Sequence, residues 1–291
     1  MVSPVPRRRG PAVCAALLVL HLVGVAGQFI KLEGYGFKGK WFAHPSGFWQ
    51  HVNNQPGKQS ANWYGVAKAH WDRQPATQEG VMPQPGNFSA EDAADSLEFV
   101  NAVMSELRPT RSENFTALDV GAGYGRVTKD VLANFCTDVD LLDASAPLLA
   151  AARELLAEIR DQSRVRLNFI EAGMQNVTLA RDRYDLIWMQ WSIGYLTDDD
   201  ALAFLEQCQR ALKPEGIIIA VETATWVNWQ VQVDASISRS ERYLLKLFHR
   251  GGFKVYKSQV QQVLEKYRFQ KFALQRRQRM LSLPEDQLEW N

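Results

Sequence analysis

Cysteine is scarce: 291 residues carry only Cys14, Cys136 and Cys208. No pair has metal-ligand spacing and no disulfide framework is implied, so no metal site is expected. Cys136 and Cys208 fall in helical or helix-end segments and read as buried thiols. An excess of one charge is also missing. Lys plus Arg is 33 against 32 for Asp plus Glu, which argues against nucleic acid or an acidic surface as partner. Long apolar runs are missing too, apart from one near the start, at about Pro11–Gly27. That run is short for a spanning helix, which needs about 20 residues, so no stable membrane span is expected beyond it. No repeat is visible, and 28–60 holds neither a helical nor a strand period.

What is present divides the chain into four parts. Arg7-Arg8-Arg9, the apolar run and the small residues Val25 and Gly27 describe a secretory leader over 1–27, a signal peptide or signal anchor. A misassigned start and a bipartite plastid leader are the alternatives. Asn87, Asn114 and Asn176 head N-x-Ser/Thr sequons, which arise by chance as well. Residues 28–60 form an extension rich in Gly and aromatics, including Trp41-Phe42 and Phe48-Trp49, expected to link or to pack on the main domain. The main domain is 61–274, and 275–291 is a polar tail with Arg276-Arg277-Gln278-Arg279.

The main domain is organised around Ala117-Leu118-Asp119-Val120-Gly121-Ala122-Gly123-Tyr124-Gly125-Arg126. A short apolar strand turns through three glycines and opens a helix. Such a turn lets a ligand lie against bare backbone, with the positive helix end aimed at it. Upstream, Asn62–His70 suits an aromatic helix and Gly80–Gly86 a loop. Ser89 suits an N-cap with Asp92 three residues on, before an amphipathic helix that Pro109 stops. Downstream, strands at 139–142, 166–170, 185–190 and 216–221 alternate with helices over 128–135, 147–159 and 198–212. Later come a helix after Ser240 and strands at 253–256 and 269–274. The alternation predicts an α/β, mostly parallel sheet. Ligands in such sheets sit beyond the carboxyl ends of the strands. Gly121–Arg126, Asp143, Met174-Gln175 and Gln190–Tyr195 all fall there. Asp143, at the tip of the second strand, suits the hydroxyls of a ribose, although it could also cap the helix that follows.

Taken together, these residues resemble the protein α-N-terminal methyltransferases, a branch of the class I S-adenosylmethionine-dependent enzymes. The resemblance rests on Trp71–Thr77, Leu118–Lys129, Val139–Asp143 and Gly173-Met174-Gln175. It rests further on Tyr184–Asp198 and on Val233-Asp234-Ala235-Ser236 with Arg239. It implies a Rossmann-like sheet of seven strands with helices on both faces, and S-adenosyl-L-methionine as cofactor. Gly121 and Gly123 would admit the methionine part and Arg126 would pair with its carboxylate. Asp143, with Ala144 and Ser145 beside it, would hold the ribose. Met174 and Gln175 would meet the adenine end, and Gln190 the amino-acid part. Asp234 matches the family's base, and Tyr195 stands where the family has a second candidate base, a histidine. Trp71, Trp191, Thr223 and Ser236 would face the substrate.

The implied substrates are protein or peptide N-termini of the type Xaa-Pro-Lys, handled by a monomer without nucleic acid. Two departures bear on this. Val231 and Gln232 stand where the family carries acids for the substrate lysine, and Thr223 replaces an asparagine. The alternatives are a class I methyltransferase acting on a small molecule, and a cofactor-binding module without catalysis. The family resemblance and the unpaired cysteines point to cytoplasm or nucleus, whereas the leader points to the secretory pathway.

Overall fold

The structure is a computed structural model that describes residues 33–53, 60–82, 88–107, 114–162, 165–232, 234–261 and 269–277. The leader, Asn87, Pro109 and the tail beyond 277 lie outside the described residues.

The first described residues form regular elements although their sequence holds no period, and their aromatics pack on the main domain. Strand β1 (Gly34–Tyr35) pairs with β2 (Trp41–Phe42), and helix α1 (Pro45–Asn53) follows. The aromatics create this order: Phe48 is buried against Phe42 at 5.5 Å between ring centroids, a contact that no sequence period announces. Helix α2 (Ser60–Trp71) matches the expected aromatic helix. Gly80 lies not in a loop but in α3 (Gln78–Val81), whose N-cap Thr77 accepts from the Gly80 N–H at 3.3 Å.

Helix α4 (Phe88–Leu107) already includes Ser89 in its first turn, so Ser89 is not the N-cap. Strand β3 (Thr116–Val120) enters the glycine turn, and α5 (Arg126–Asp130) leaves it. The helix expected to reach residue 135 stops early. The Asn134 amide donates to the carbonyls of Asp130 and Val131, at 2.9 and 3.1 Å, in place of continuing turns. After β4 (Asp138–Asp143), the helix expected over 147–159 breaks at buried Leu156 into α6 (Ala146–Leu155) and α7 (Ala157–Asp161). Strands β5 (Arg166–Glu171) and β6 (Tyr184–Gln190) lead to α8 (Asp198–Ala211). Its N-cap Thr197 accepts from Asp200 N–H at 3.2 Å, a cap worth about 1 kcal/mol. Pro214 forces Lys213 into extended backbone, so β7 (Leu212–Thr223) starts four residues before Gly216. The hairpin of β8 (Trp229–Val231) and β9 (Ile237–Arg239) has no counterpart in the sequence reading. Helix α9 (Glu241–Arg250), capped by Ser240, and the antiparallel pair β10 (Phe253–Gln261) and β11 (Phe269–Arg276) complete the fold.

Seven strands form one sheet in the order β10-β11-β7-β6-β3-β4-β5, all running the same way except β11, which is antiparallel to both its neighbours. The order reverses between β3 and β6, and that switch point opens a crevice beyond the strand ends. Strand β6 is buried throughout and serves two cores by its two-residue period. Leu186 and Trp188 pack on one face with Val100, Val103 and Leu149; Ile187 and Met189 pack on the other with Phe204, Leu205 and Phe248. A second sheet, β2-β1-β8-β9, joins the N-terminal ribbon to the late hairpin. Cys136 and Cys208 are buried, and no disulfide links them. Among the described residues no helix is long and apolar enough to cross a membrane, and no acidic, histidine or cysteine cluster could hold a metal.

Candidate active site

The carboxyl ends of β3, β4, β6 and β7 surround a cavity of about 870 Å³. Every residue nominated from sequence for cofactor, acceptor or catalysis borders it. The glycine turn supplies its floor. Gly121 and Gly123 have φ of +69° and +55°, a region L side chains rarely adopt. A Cβ on Gly121 would stand 2.7 Å from Ser192 Cβ, while one on Gly123 would meet no atom within 4 Å and would project into open space. Asp143 closes the turn from β4. Its Oδ2 accepts from Gly123 N–H at 2.8 Å and its Oδ1 from Ser145 N–H at 2.7 Å, which closes a turn just ahead of α6, whose N-cap is Ser145, while Asp143 also borders the cavity. Burial raises its carboxyl above the ordinary range, and those N–H bonds counter the rise. Ala144 and Ser145 continue this wall, and Met174 and Gln175 line the side beyond β5.

Arg126 is nearly buried. Its Nη1 lies 2.6 Å from Asp92 Oδ2, and its guanidinium sits 5.5 Å over the Trp191 ring. Asp92 also accepts from Gln190 Nε2 at 2.9 Å and from Gln261 Nε2. Gln190 Oε1 takes the Trp188 indole N–H at 3.0 Å. The Gln190 side chain is therefore committed to protein partners, although it borders the cavity. Asp92, read from sequence as part of a helix cap, is instead a buried counter-ion. The signal was there: with Ser96, Phe99, Val100 and Val103 it lies on the apolar stripe of α4.

The other half of the cavity is built from two segments facing each other. Trp191, at φ +54°, projects from the end of β6, with Phe88 stacked at 6.0 Å and Phe269 at 5.2 Å. Its indole N–H and the Ser192 hydroxyl are buried without a hydrogen-bond partner among the described residues. Tyr195 follows and donates its hydroxyl to Asp234 Oδ2 at 2.7 Å. Asp234 Oδ1 accepts from Ser236 N–H and Oγ–H at 3.1 and 2.7 Å. Burial and the neighbouring Asp234 push the Tyr195 hydroxyl well above its ordinary range, so it stays protonated and acts as a donor. Trp71 meets Tyr195 edge-on at 6.1 Å, and Thr223 lies on the β7 side.

Glu222 was missed in the sequence, where it falls just past the strand expected over 216–221; it lies within β7. Its Oε1 accepts the N–H groups of Ser192 and Ile193, each at 3.0 Å. From the opposite side buried Arg239 donates to the carbonyls of Ile193 and Leu196, at 3.4 and 2.9 Å, and pairs with Asp198 at 3.0 Å. The loop that carries Tyr195 is thus clamped between an acid and a base. Burial raises the Glu222 carboxyl to about 7 from 4.5. A raised carboxyl favours folding when protonated, so its contribution to stability is full at low pH and is lost as pH rises to and through 7. Glu222→Gln keeps an acceptor but cannot ionise. Between pH 5 and pH 8 the native chain should lose about 2 kcal/mol more of unfolding free energy than this variant. Urea unfolding at both pH values measures it, and parallel losses would refute the assignment.

The residues also fit S-adenosylmethionine. The left-handed backbone at Gly123 borders the open cavity, a carboxylate waits at a strand tip, and unpartnered donors line the wall. Comparison with known proteins agrees. The family model of AdoMet dependent proline di-methyltransferases matches residues 59–275. The chain belongs to this family. It is 31% identical over 236 residues to alpha N-terminal protein methyltransferase 1 of Arabidopsis thaliana, covering 79% of this chain and 86% of that one. With the human N-terminal Xaa-Pro-Lys N-methyltransferase 1 it shares 33% over 215 residues, 73% of this chain and 95% of that one. A SAM-dependent methyltransferase from Leishmania major superposes with TM-score 0.74 at 30% identity, covering 84% of this chain and 96% of that one. A Burkholderia thailandensis 1,6-didemethyltoxoflavin-N1-methyltransferase matches at TM-score 0.59 and 16% identity over 77% of this chain and 92% of that one, a likeness of fold alone. As a member of the family, this protein is a class I methyltransferase that uses S-adenosylmethionine.

Proposed function

We propose that this family member methylates the α-amino group of protein N-termini, those beginning Xaa-Pro-Lys among them. The observation that carries the reading is the Asp234–Tyr195 pair, a carboxylate held 2.7 Å from a buried phenol on the acceptor side of the cofactor cavity. Bound S-adenosylmethionine would supply a methyl group activated by its sulfonium. Gly121, Gly123 and Arg126 would receive the amino-acid part, Asp143 with Ala144 and Ser145 the ribose, and Met174 and Gln175 the adenine end. Gln190 would fix Asp92 behind Arg126.

The acceptor must be a neutral amine aligned with that methyl, and alignment supplies much of the acceleration. An α-amine has a pKa near 8, so one proton must leave at neutral pH. Asp234 Oδ1 takes both Ser236 donors, whereas Oδ2 retains a lone pair beyond the one that Tyr195 uses. The carboxylate therefore accepts a hydrogen bond from the ammonium and receives its proton. Tyr195 fixes the orientation of Asp234 and does not compete for that proton. Trp71, Trp191 and Thr223 wall the space that the first residues of the chain end would enter. One chain supplies these walls, which supports action as a monomer.

Selection for lysine at the third position is expected to be weak. Val231 is buried and Gln232 carries no charge. A panel of Xaa-Pro-Xaa peptides with labelled cofactor tests both points. Label should enter peptides with a free α-amine, and changing the third residue from lysine to glutamine should cost less than about tenfold in kcat/KM, about 1.4 kcal/mol. No transfer to any peptide, with transfer to a small-molecule amine, would establish the other acceptor class.

A further inference from the structure

Residues 33–53 lie outside the stretch matched by the family model, yet they are wired into the acceptor half of the site. We infer that this segment is a built-in support for the acceptor side, fixing the hairpin that bears Asp234 and the loop that bears Tyr195. The inference rests on the acceptor reading above for its kinetic consequences, but not for its geometry.

Two sets of contacts carry it. The first reaches the hairpin. Strand β1 pairs in parallel with β8, Tyr35 opposite Gln230, and so makes the hairpin part of a four-stranded sheet. The approach is close: a Cβ on Gly34 would stand 2.5 Å from the Trp229 ring. The Asn228 amide donates to the Glu33 carbonyl at 3.1 Å. Phe48 and Trp229, each 1% exposed, sit 5.6 Å apart, and Phe48 also meets Trp63 at 6.1 Å.

The second set reaches the loop. Trp49 donates its indole N–H to Asp198 Oδ2 at 3.3 Å, and Asp198 is the partner of Arg239, which holds the carbonyls of Ile193 and Leu196. Trp49 packs edge-on against Trp63 at 5.1 Å, and Trp63 donates to the carbonyl of Tyr195 at 2.8 Å.

The physical need is plain. A two-stranded hairpin is marginal alone in water, and Ala235 in its turn adopts φ +61°. The Asp234–Tyr195 bond joins this hairpin to a loop from the other side of the cavity. An error of about 1 Å in either would cost catalysis severely. The aromatic block braces both at once, while the cofactor half stands on the core of the large sheet. Phe48 and Trp49 are therefore positioning residues.

The test uses the full chain with Phe48→Ala and Trp49→Phe; the second keeps an aromatic ring while it loses the indole N–H and part of the ring area, so it is the milder change and decides the test if the first does not fold. Hydrogen–deuterium exchange is followed in the chain with S-adenosylhomocysteine bound. Exchange should rise at least fivefold at 192–198 and 229–239 and stay unchanged at 119–126 and 142–145. S-adenosylhomocysteine affinity should stay within twofold, and kcat/KM for an accepted peptide should fall about fivefold for Trp49→Phe and more for Phe48→Ala. Unchanged exchange at the hairpin and loop, or an equal rise at all four segments, would overturn the support role. A native chain that methylates no peptide would remove the acceptor reading, and the exchange result would still decide this one.

Discussion

Asp234→Asn should lower kcat for a peptide acceptor about 10²- to 10³-fold at pH 7, in the range of general-base loss. S-adenosylhomocysteine affinity should stay within twofold. The variant keeps the size of the side chain and an oxygen for the two Ser236 donors, and its NH2 can donate to the Tyr195 hydroxyl that faced Oδ2. It lacks a group that can take a proton. The pH profile separates this from misplacement. Above pH 8 the α-amine loses its proton to solvent, so the deficit should narrow toward pH 9.5. A deficit constant across pH would mean that Asp234 only shapes the site. Calorimetric titration and steady-state rates give both numbers.

The second large effect belongs to Asp143→Ala. This carboxylate holds Gly123 N–H and Ser145 N–H from one strand tip, and burial already raises it. Removing it leaves two backbone donors without their acceptor and takes away the group aimed at the ribose hydroxyls. Hydrogen bonds to a charged group are worth about 1.5–3 kcal/mol each. S-adenosylhomocysteine affinity should therefore fall about 10²-fold or more, measured by titration calorimetry. A weakening below about threefold would place the ribose elsewhere in the cavity.

The cofactor half was legible in the sequence because it is local. The glycine turn, the acid ending β4 and the nearly continuous apolar run of β6 each declare themselves within a few residues, and a mostly parallel sheet follows from strand–helix alternation. The acceptor half is not local. Tyr195 and Asp234 were found through resemblance, but their bond spans 39 positions. Glu222 and Arg239 clamp the Tyr195 loop from two later elements, and Asp92 meets Gln261 across 169 positions. The hairpin β8–β9 was invisible because three-residue strands leave no period. The ribbon and helix of 33–53 were invisible because their order comes from stacking Phe48 on Trp63 and Trp229. Helix ends were misplaced for local competitive reasons, as where Asn134 takes the carbonyls that would have continued α5.

On the proposed mechanism the methyl group goes to a chain-terminal amine held by Asp234. Tandem mass spectrometry of an Xaa-Pro-Lys peptide after turnover, beside its N-acetylated twin, tests it most directly. Methyl groups are expected on the α-nitrogen of the free peptide and none on the acetylated one. Methyl groups on the lysine side chain, or equal labelling of both peptides, would contradict it.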